Sequence, residues 1–205
     1  GMEPTGDPFN SLMKLENTDS SPYNPMINAG AIVVASCLAS EISFDTMLDT
    51  IRALCMDPDI NLDKKVYHSG MSHISRNRAI AYLLESKGYI EKNKDVENSL
   101  HFYVKMCSLS VTAESLAGLG LILANDGIHP DTGKRLLSSQ AVKIVKTLMF
   151  TCGMYDGSGE FAVRVGIPSK SGVGGGILSV VDGEMGIGIF GPALDKKGNS
   201  VAGEC

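Results

Sequence analysis

A chain of 205 residues with a net charge of −5 and 43% hydrophobic residues has the composition of an ordinary globular protein, not of a disordered segment. Its mild acidity excludes the basic face expected of a phosphate-backbone binder. A membrane helix needs about 18 apolar residues in a row, whereas the longest apolar run, 27–38, is shorter and contains Asn28 and Ser36. In chain order, Gly1-Met2-Glu3-Pro4-Thr5-Gly6 shows no signal-peptide pattern. Asn24-Pro25-Met26-Ile27-Asn28-Ala29-Gly30 predicts a turn leading into a small-residue helix over 31–39. Ser43 predicts an N-cap for a helix whose apolar face is Phe44, Met47, Leu48, Ile51, Leu54 and Cys55. A third helix is expected over 72–86, with Ile74, Ala79, Tyr82 and Leu83 inward and Gly88 as its stop. A fourth is expected over 96–107. A fifth runs from Thr112, with Glu114 in its first turn, to Asn125-Asp126-Gly127. A sixth starts at Ser139, with Val142, Val145 and Met149 on one face.

The last third changes character. Phe161, Val163 and Val165 alternate and predict a strand over 160–167. Strands follow over 176–181 and 185–190, with hairpin signals at Asp182-Gly183 and at Asp195-Lys196-Lys197-Gly198-Asn199. A helical region over about 24–150, then an antiparallel meander over about 160–205, predicts an α+β fold in a single domain. The five cysteines, Cys37, Cys55, Cys107, Cys152 and Cys205, are odd in number and form no Cys-x-x-Cys pair. That reads as free buried thiols in a reducing, cytoplasmic compartment.

Metal motifs fail on inspection. Asp57-Pro58-Asp59-Ile60-Asn61-Leu62-Asp63 begins like a calcium loop. Leu62 then stands where the turn needs Gly, and His68 where a bidentate Glu is required, so a solvated acidic turn is the expectation. His68 and His73 are off the i, i+4 spacing of a helical zinc pair. Gly172-Val173-Gly174-Gly175-Gly176 lacks a Walker lysine and leads into a strand, so its glycines would let a ligand approach an edge-strand backbone. No metal and no cofactor are expected. Lys170-Ser171-Gly172 opening a strand is an element of penicillin-recognising serine acyl-transfer enzymes. Just upstream, Tyr155 in Cys152-Gly153-Met154-Tyr155 reads either as a general acid/base or as a core tyrosine. Asn28 and Asn77 are amides suited to gripping a polar substrate or to capping helices.

Together, Glu3-Pro4-Thr5-Gly6, Asn24-Pro25-Met26-Ile27-Asn28-Ala29-Gly30-Ala31, Arg76-Asn77, Cys152-Gly153-Met154-Tyr155, Lys170-Ser171-Gly172-Val173-Gly174-Gly175-Gly176 and Gly198-Asn199-Ser200 resemble the serine-dependent glutaminases of the bacterial type. The motifs stand in family order along the whole chain. The resemblance implies a β-lactamase-like fold, with a helical lobe and an antiparallel sheet. It also implies hydrolysis of L-glutamine to L-glutamate and ammonia through a serine acyl-enzyme. Asn28, Asn77 and Tyr103 match substrate-gripping positions. Tyr155 matches the tyrosine beside the nucleophile, a proton relay that also touches substrate. Val173 matches a backbone N–H of the oxyanion hole, and Lys170 would line the same cavity. The family further implies a homodimer or homotetramer, with no nucleic-acid or membrane partner.

Two positions depart from the pattern. The family's Ser-x-x-Lys pair lies upstream of Glu3-Pro4. Ser11-Leu12-Met13-Lys14 fits the expression but sits on the wrong side of that motif. The chain is therefore expected to be most of one roughly 300-residue domain, and inactive alone. Gly70 stands where the family carries a glutamate for the substrate's α-amino group, a charge-assisted bond worth about 1.5–3 kcal/mol. Two alternatives stay open: a non-catalytic amino-acid binder or folded remnant, and a β-lactam-recognising hydrolase resting on Lys170-Ser171-Gly172.

Overall fold

A computed structural model describes residues 1–12 and 21–204. Met13, Lys14 and Cys205 therefore lie outside the described residues. The chain divides into two compact units, Gly1–Leu48 with Ile60–Ser110 and Asp49–Asp59 with Val111–Cys205.

The first unit is mostly helical. It holds α1 (Asn28–Glu41), the start of α2 (Phe44–Cys55), β1 (Asn61–Leu62), α3 (Lys64–Ser72), α4 (Ser75–Ser86), α5 (Val96–Cys107) and β2 (Leu109–Ser110). Side chains fix several helix starts. The Ser43 hydroxyl accepts from the Thr46 amide at 3.1 Å, and Asp63 accepts from the amides of Lys65 and Val66. Asp95 does the same for Asn98. Each such cap is worth about 1 kcal/mol. Helices α1, α4 and α5 pack together around Ile32, Ile80, Leu84, Leu100 and Val104. Burying each of these side chains contributes roughly 1.5–3 kcal/mol.

The expected third helix is two helices. Asp63 starts α3 early, and the chain breaks at His73 and Ile74 before α4. Its inward face also differs. Ile80, Ala81 and Leu84 are buried, whereas Ala79 and Tyr82 are exposed. Tyr82 turns outward, where its hydroxyl donates to Glu97 at 3.3 Å.

The second unit holds α6 (Ala113–Ala124), α7 (Ser139–Cys152), a 3₁₀ turn (Tyr155–Gly157), α8 (Ser158–Arg164), β3 (Ser169–Ser171), β4 (Gly176–Val181) and β5 (Met185–Phe190). The strands form one antiparallel sheet in the order β3-β4-β5, with Lys170 opposite Leu178 and Ile177 opposite Ile189. The strand expected over 160–167 is instead largely the short helix α8, which corrects the start of the meander. The alternation there was not a burial pattern. Phe161 is buried but Val163 is 91% exposed, so local β propensity gave way to the turn that precedes it. There the Ser158 hydroxyl accepts from the Met154 amide and donates to the Tyr155 carbonyl.

Helix α6 lies across β4 and β5. Thr112 and Ser115 form a reciprocal cap at its start. Two glycines of β5 make the close approach possible. A Cβ on Gly186 would sit 2.1 Å from the Ala117 carbonyl oxygen, and one on Gly188 would sit 1.8 Å from that of Ala113. The strand backbone therefore touches the helix backbone directly. The residues of the discarded calcium reading belong to this architecture. Asp57 accepts from the Ser115 hydroxyl at 2.5 Å and from the Asp59 amide at 2.9 Å, which holds its carboxyl below the usual range.

Candidate active site

Asn28, Asn77 and Tyr103 all fall in the first unit. Asn28 opens α1, and its amide donates to the Phe9 carbonyl at 3.1 Å. Its side-chain Nδ2 donates to Asn77 Oδ1 on α4 at 2.8 Å. The pair uses one donor and one acceptor, so the Asn28 carbonyl and the Asn77 amide group keep capacity for a polar ligand. Both side chains are half-buried. Tyr103, on α5, packs against the core of the same unit.

The motif around these residues is braced from below. Asn24 is buried; its Nδ2 donates to the Glu3 carbonyl at 2.8 Å and its Oδ1 accepts from Met26. Glu3-Pro4-Thr5-Gly6 is thereby joined to Asn24-Pro25, a link invisible in the linear order. Gly70 lies on α3 against α5, and a Cβ there would stand 2.9 Å from Val104 Cγ1. Any side chain at this position requires Val104 to give way.

Tyr155, Lys170 and Val173 fall in the second unit, and the fold gathers them. Gly153 follows α7 and backs onto β3, where the Ser171 amide donates to its carbonyl at 3.0 Å. A Cβ at Gly153 would lie 1.9 Å from the Ser169 carbonyl oxygen, so only glycine permits this contact. Two residues later Tyr155 adopts φ of +51°, a strained left-handed conformation for a bulky residue. The backbone N–H of Val173 lies close enough to the phenol to favour its charged form. The Lys170 ammonium lies 4.6 Å from the centre of the Tyr155 ring and donates to the Ser171 carbonyl.

Electrostatics follow from burial. Withdrawal from water lowers Lys170 to about 8. Burial pushes the Tyr155 phenol up, and the Val173 N–H partly offsets it. Burial also raises the Cys152 thiol, against the pull of the nearby Lys170 charge. The Cys152 thiol donates to the Leu148 carbonyl at 3.1 Å; it and Cys55 are buried as expected, whereas Cys37 and Cys107 are exposed on their helices, which corrects the expectation of buried thiols throughout. A partly neutral amine, a phenol and a backbone donor thus share one small space, an arrangement able to move a proton and to steady an oxyanion. Sequence reasoning assigned no role to Asn199, whose Nδ2 donates to the Met154 carbonyl at 3.2 Å. The only signal for it was the Gly198-Asn199-Ser200 motif.

An α+β chain with this helical region and this antiparallel sheet has the β-lactamase-like fold, and comparison with solved structures agrees. A Bacillus subtilis probable glutaminase superposes with a TM-score of 0.91 at 41% identity, covering 99% of this chain and 69% of that one. A covalent complex of the Bacillus subtilis glutaminase with 5-oxo-L-norleucine, formed from 6-diazo-5-oxo-L-norleucine, gives a TM-score of 0.83 at 41% identity, covering 89% of this chain and 65% of that one. The family model for glutaminase matches residues 1–205, and the chain belongs to the glutaminase family. A glutaminase of Clostridioides difficile is 54% identical over 207 residues, covering 99% of this chain and 66% of the relative. The chain thus spans about two thirds of the length of the curated relatives it matches.

Proposed function

We propose that this chain carries most of the active site of an enzyme that hydrolyses L-glutamine to L-glutamate and ammonia. The observation that supports the reading best is the Lys170 ammonium over the ring of the left-handed Tyr155, 4.6 Å from its centre, with the Val173 N–H near the phenol. In this proposal a serine oxygen, from a Ser-x-x-Lys segment of the whole protein, bonds to the side-chain amide carbon. The C–N bond breaks, and the nitrogen leaves as ammonia after taking a proton relayed by Tyr155. Water then adds to the ester, the C–O bond to serine breaks, and serine regains its proton. Val173 steadies the oxyanion, a contribution of roughly 3 kcal/mol per donor at comparable sites. Lys170 adds a positive field, and Asn28, Asn77 and Tyr103 grip the substrate. One domain encompasses both compact units, works as a homodimer or homotetramer in the cytoplasm and needs no cofactor.

The test is ammonia release from glutamine by the whole protein, with trapping by 6-diazo-5-oxo-L-norleucine. A folded whole protein that releases no ammonia and forms no adduct would sink the reading. Gly70 favours a second reading, an amino-acid binder without turnover. Calorimetry with glutamine and glutamate separates the two, since binding without hydrolysis selects the second. Acylation by a labelled penicillin would select the β-lactam alternative.

A further inference from the structure

The strained Tyr155 needs something to hold it, and the turn over 195–199 sits against it. Asn199 is 1% exposed, and its Nδ2 donates to the carbonyl of Met154, the residue just before Tyr155. Gly198 has φ of +96°, and its Cα faces the active-site tyrosine. A Cβ there would lie 3.6 Å from Tyr155 Cε2 and 3.5 Å from Val173 Cγ1. The turn therefore faces both Tyr155 and Val173 across a space that one methyl group would fill. It is closed by Asp195, which accepts from the amides of Lys197 and Asn199 at 2.8 Å each. Lys197 bonds Glu160 on α8 at 3.0 Å, which ties the turn to the far side of the 3₁₀ segment. Asn199 makes poor sense as a stability residue alone, because its Oδ1 is buried with no hydrogen-bond partner among the described residues.

We propose that the turn over 195–199 positions the Tyr155 hydroxyl, with Asn199 anchoring the backbone before it and Gly198 backing its ring. The inference rests on reading Tyr155 as the proton relay. Asn199 touches no reacting atom in this scheme and acts through Tyr155.

The test reads Tyr155 directly in the 205-residue chain. Tyrosine labelled with carbon-13 at Cζ gives one resonance for each of the six tyrosines, and the Tyr155→Phe spectrum identifies the one of interest. In Asn199→Leu, which removes the donor and the orphan oxygen together, the Tyr155 resonance should move toward an exposed tyrosine and titrate at lower pH. The other five resonances and the circular dichroism should stay unchanged. A folded Asn199→Leu with an unaltered Tyr155 resonance and titration overturns the proposal. If Asn199→Leu does not fold, Asn199→Ser carries the same two outcomes, and failure of both to fold overturns it too by making Asn199 a stability residue. In the whole enzyme, kcat should fall roughly tenfold to a hundredfold with KM little changed, the signature of a displaced catalytic group. Full activity of Tyr155→Phe there would remove the relay reading and leave the spectroscopic result standing.

Discussion

At the scale of residues, Lys170 and Tyr155 show how burial is used. Lys170 titrates near 8 in the folded chain and near 10.5 when free. Between those values the unfolded state binds the proton more tightly, so this group makes stability rise with pH from 8 to 10.5. Below 8 its full cost applies, on the order of 3 kcal/mol. Lys170→Met should therefore be more stable than the parent chain at pH 7, by urea denaturation, with the advantage shrinking by pH 10. The comparison must be a difference, because the Cys55 thiol, raised to about 11 chiefly by burial, loses stability for the fold above pH 9. Equal stability of parent and variant at pH 7 would show that the ammonium is better solvated than its surroundings indicate. On the proposed relay role of Tyr155, Tyr155→Phe should lower kcat for glutamine in the whole protein by about 10²–10⁴ with KM nearly constant.

At the scale of elements, caps and close approaches dominate. Thr112→Ala removes the reciprocal cap of α6 and should cost about 1 kcal/mol in a denaturant titration. Gly188→Ala should do far more. Its methyl would enter the Ala113 backbone, so the expected result is an insoluble or unfolded chain. Most elements were readable from residue chemistry. Ser43, Asp182-Gly183 and the apolar spacing of 96–107 carried the elements they lie in. Two features were not readable for a physical reason. Helix α3 is only nine residues long, and neither Gly nor Pro marks the break at His73 and Ile74 that separates it from α4. Helix α8 contradicts its own alternation because the turn before it, closed by the Ser158 hydroxyl on Met154 and Tyr155, sets its backbone. At the site, pattern gave the residue types, but the Asn28–Asn77 bond and the Lys170–Tyr155 contact join residues apart in sequence. The left-handed Tyr155 has no sequence signature at all.

At the scale of the whole molecule, described ion pairs such as Arg52–Asp49, Lys146–Asp182 and Lys197–Glu160 are at least partly exposed. Such pairs contribute little. The melting temperature should therefore shift by no more than about 2 °C between low and moderate salt, and a larger fall would show that charge pairing carries more of the fold. Light scattering on the whole protein tests the proposed homodimer or homotetramer, and a monomer would overturn it. The glycines of β5 have a consequence for how the second unit assembles. Along Gly186-Ile187-Gly188-Ile189 a slip of one residue would swing an isoleucine into space that does not hold even a methyl group. A misregistered hairpin therefore cannot seat on α6. The helix acts as a gauge for the sheet, compatible with the observed pairing and not with one slipped by a residue.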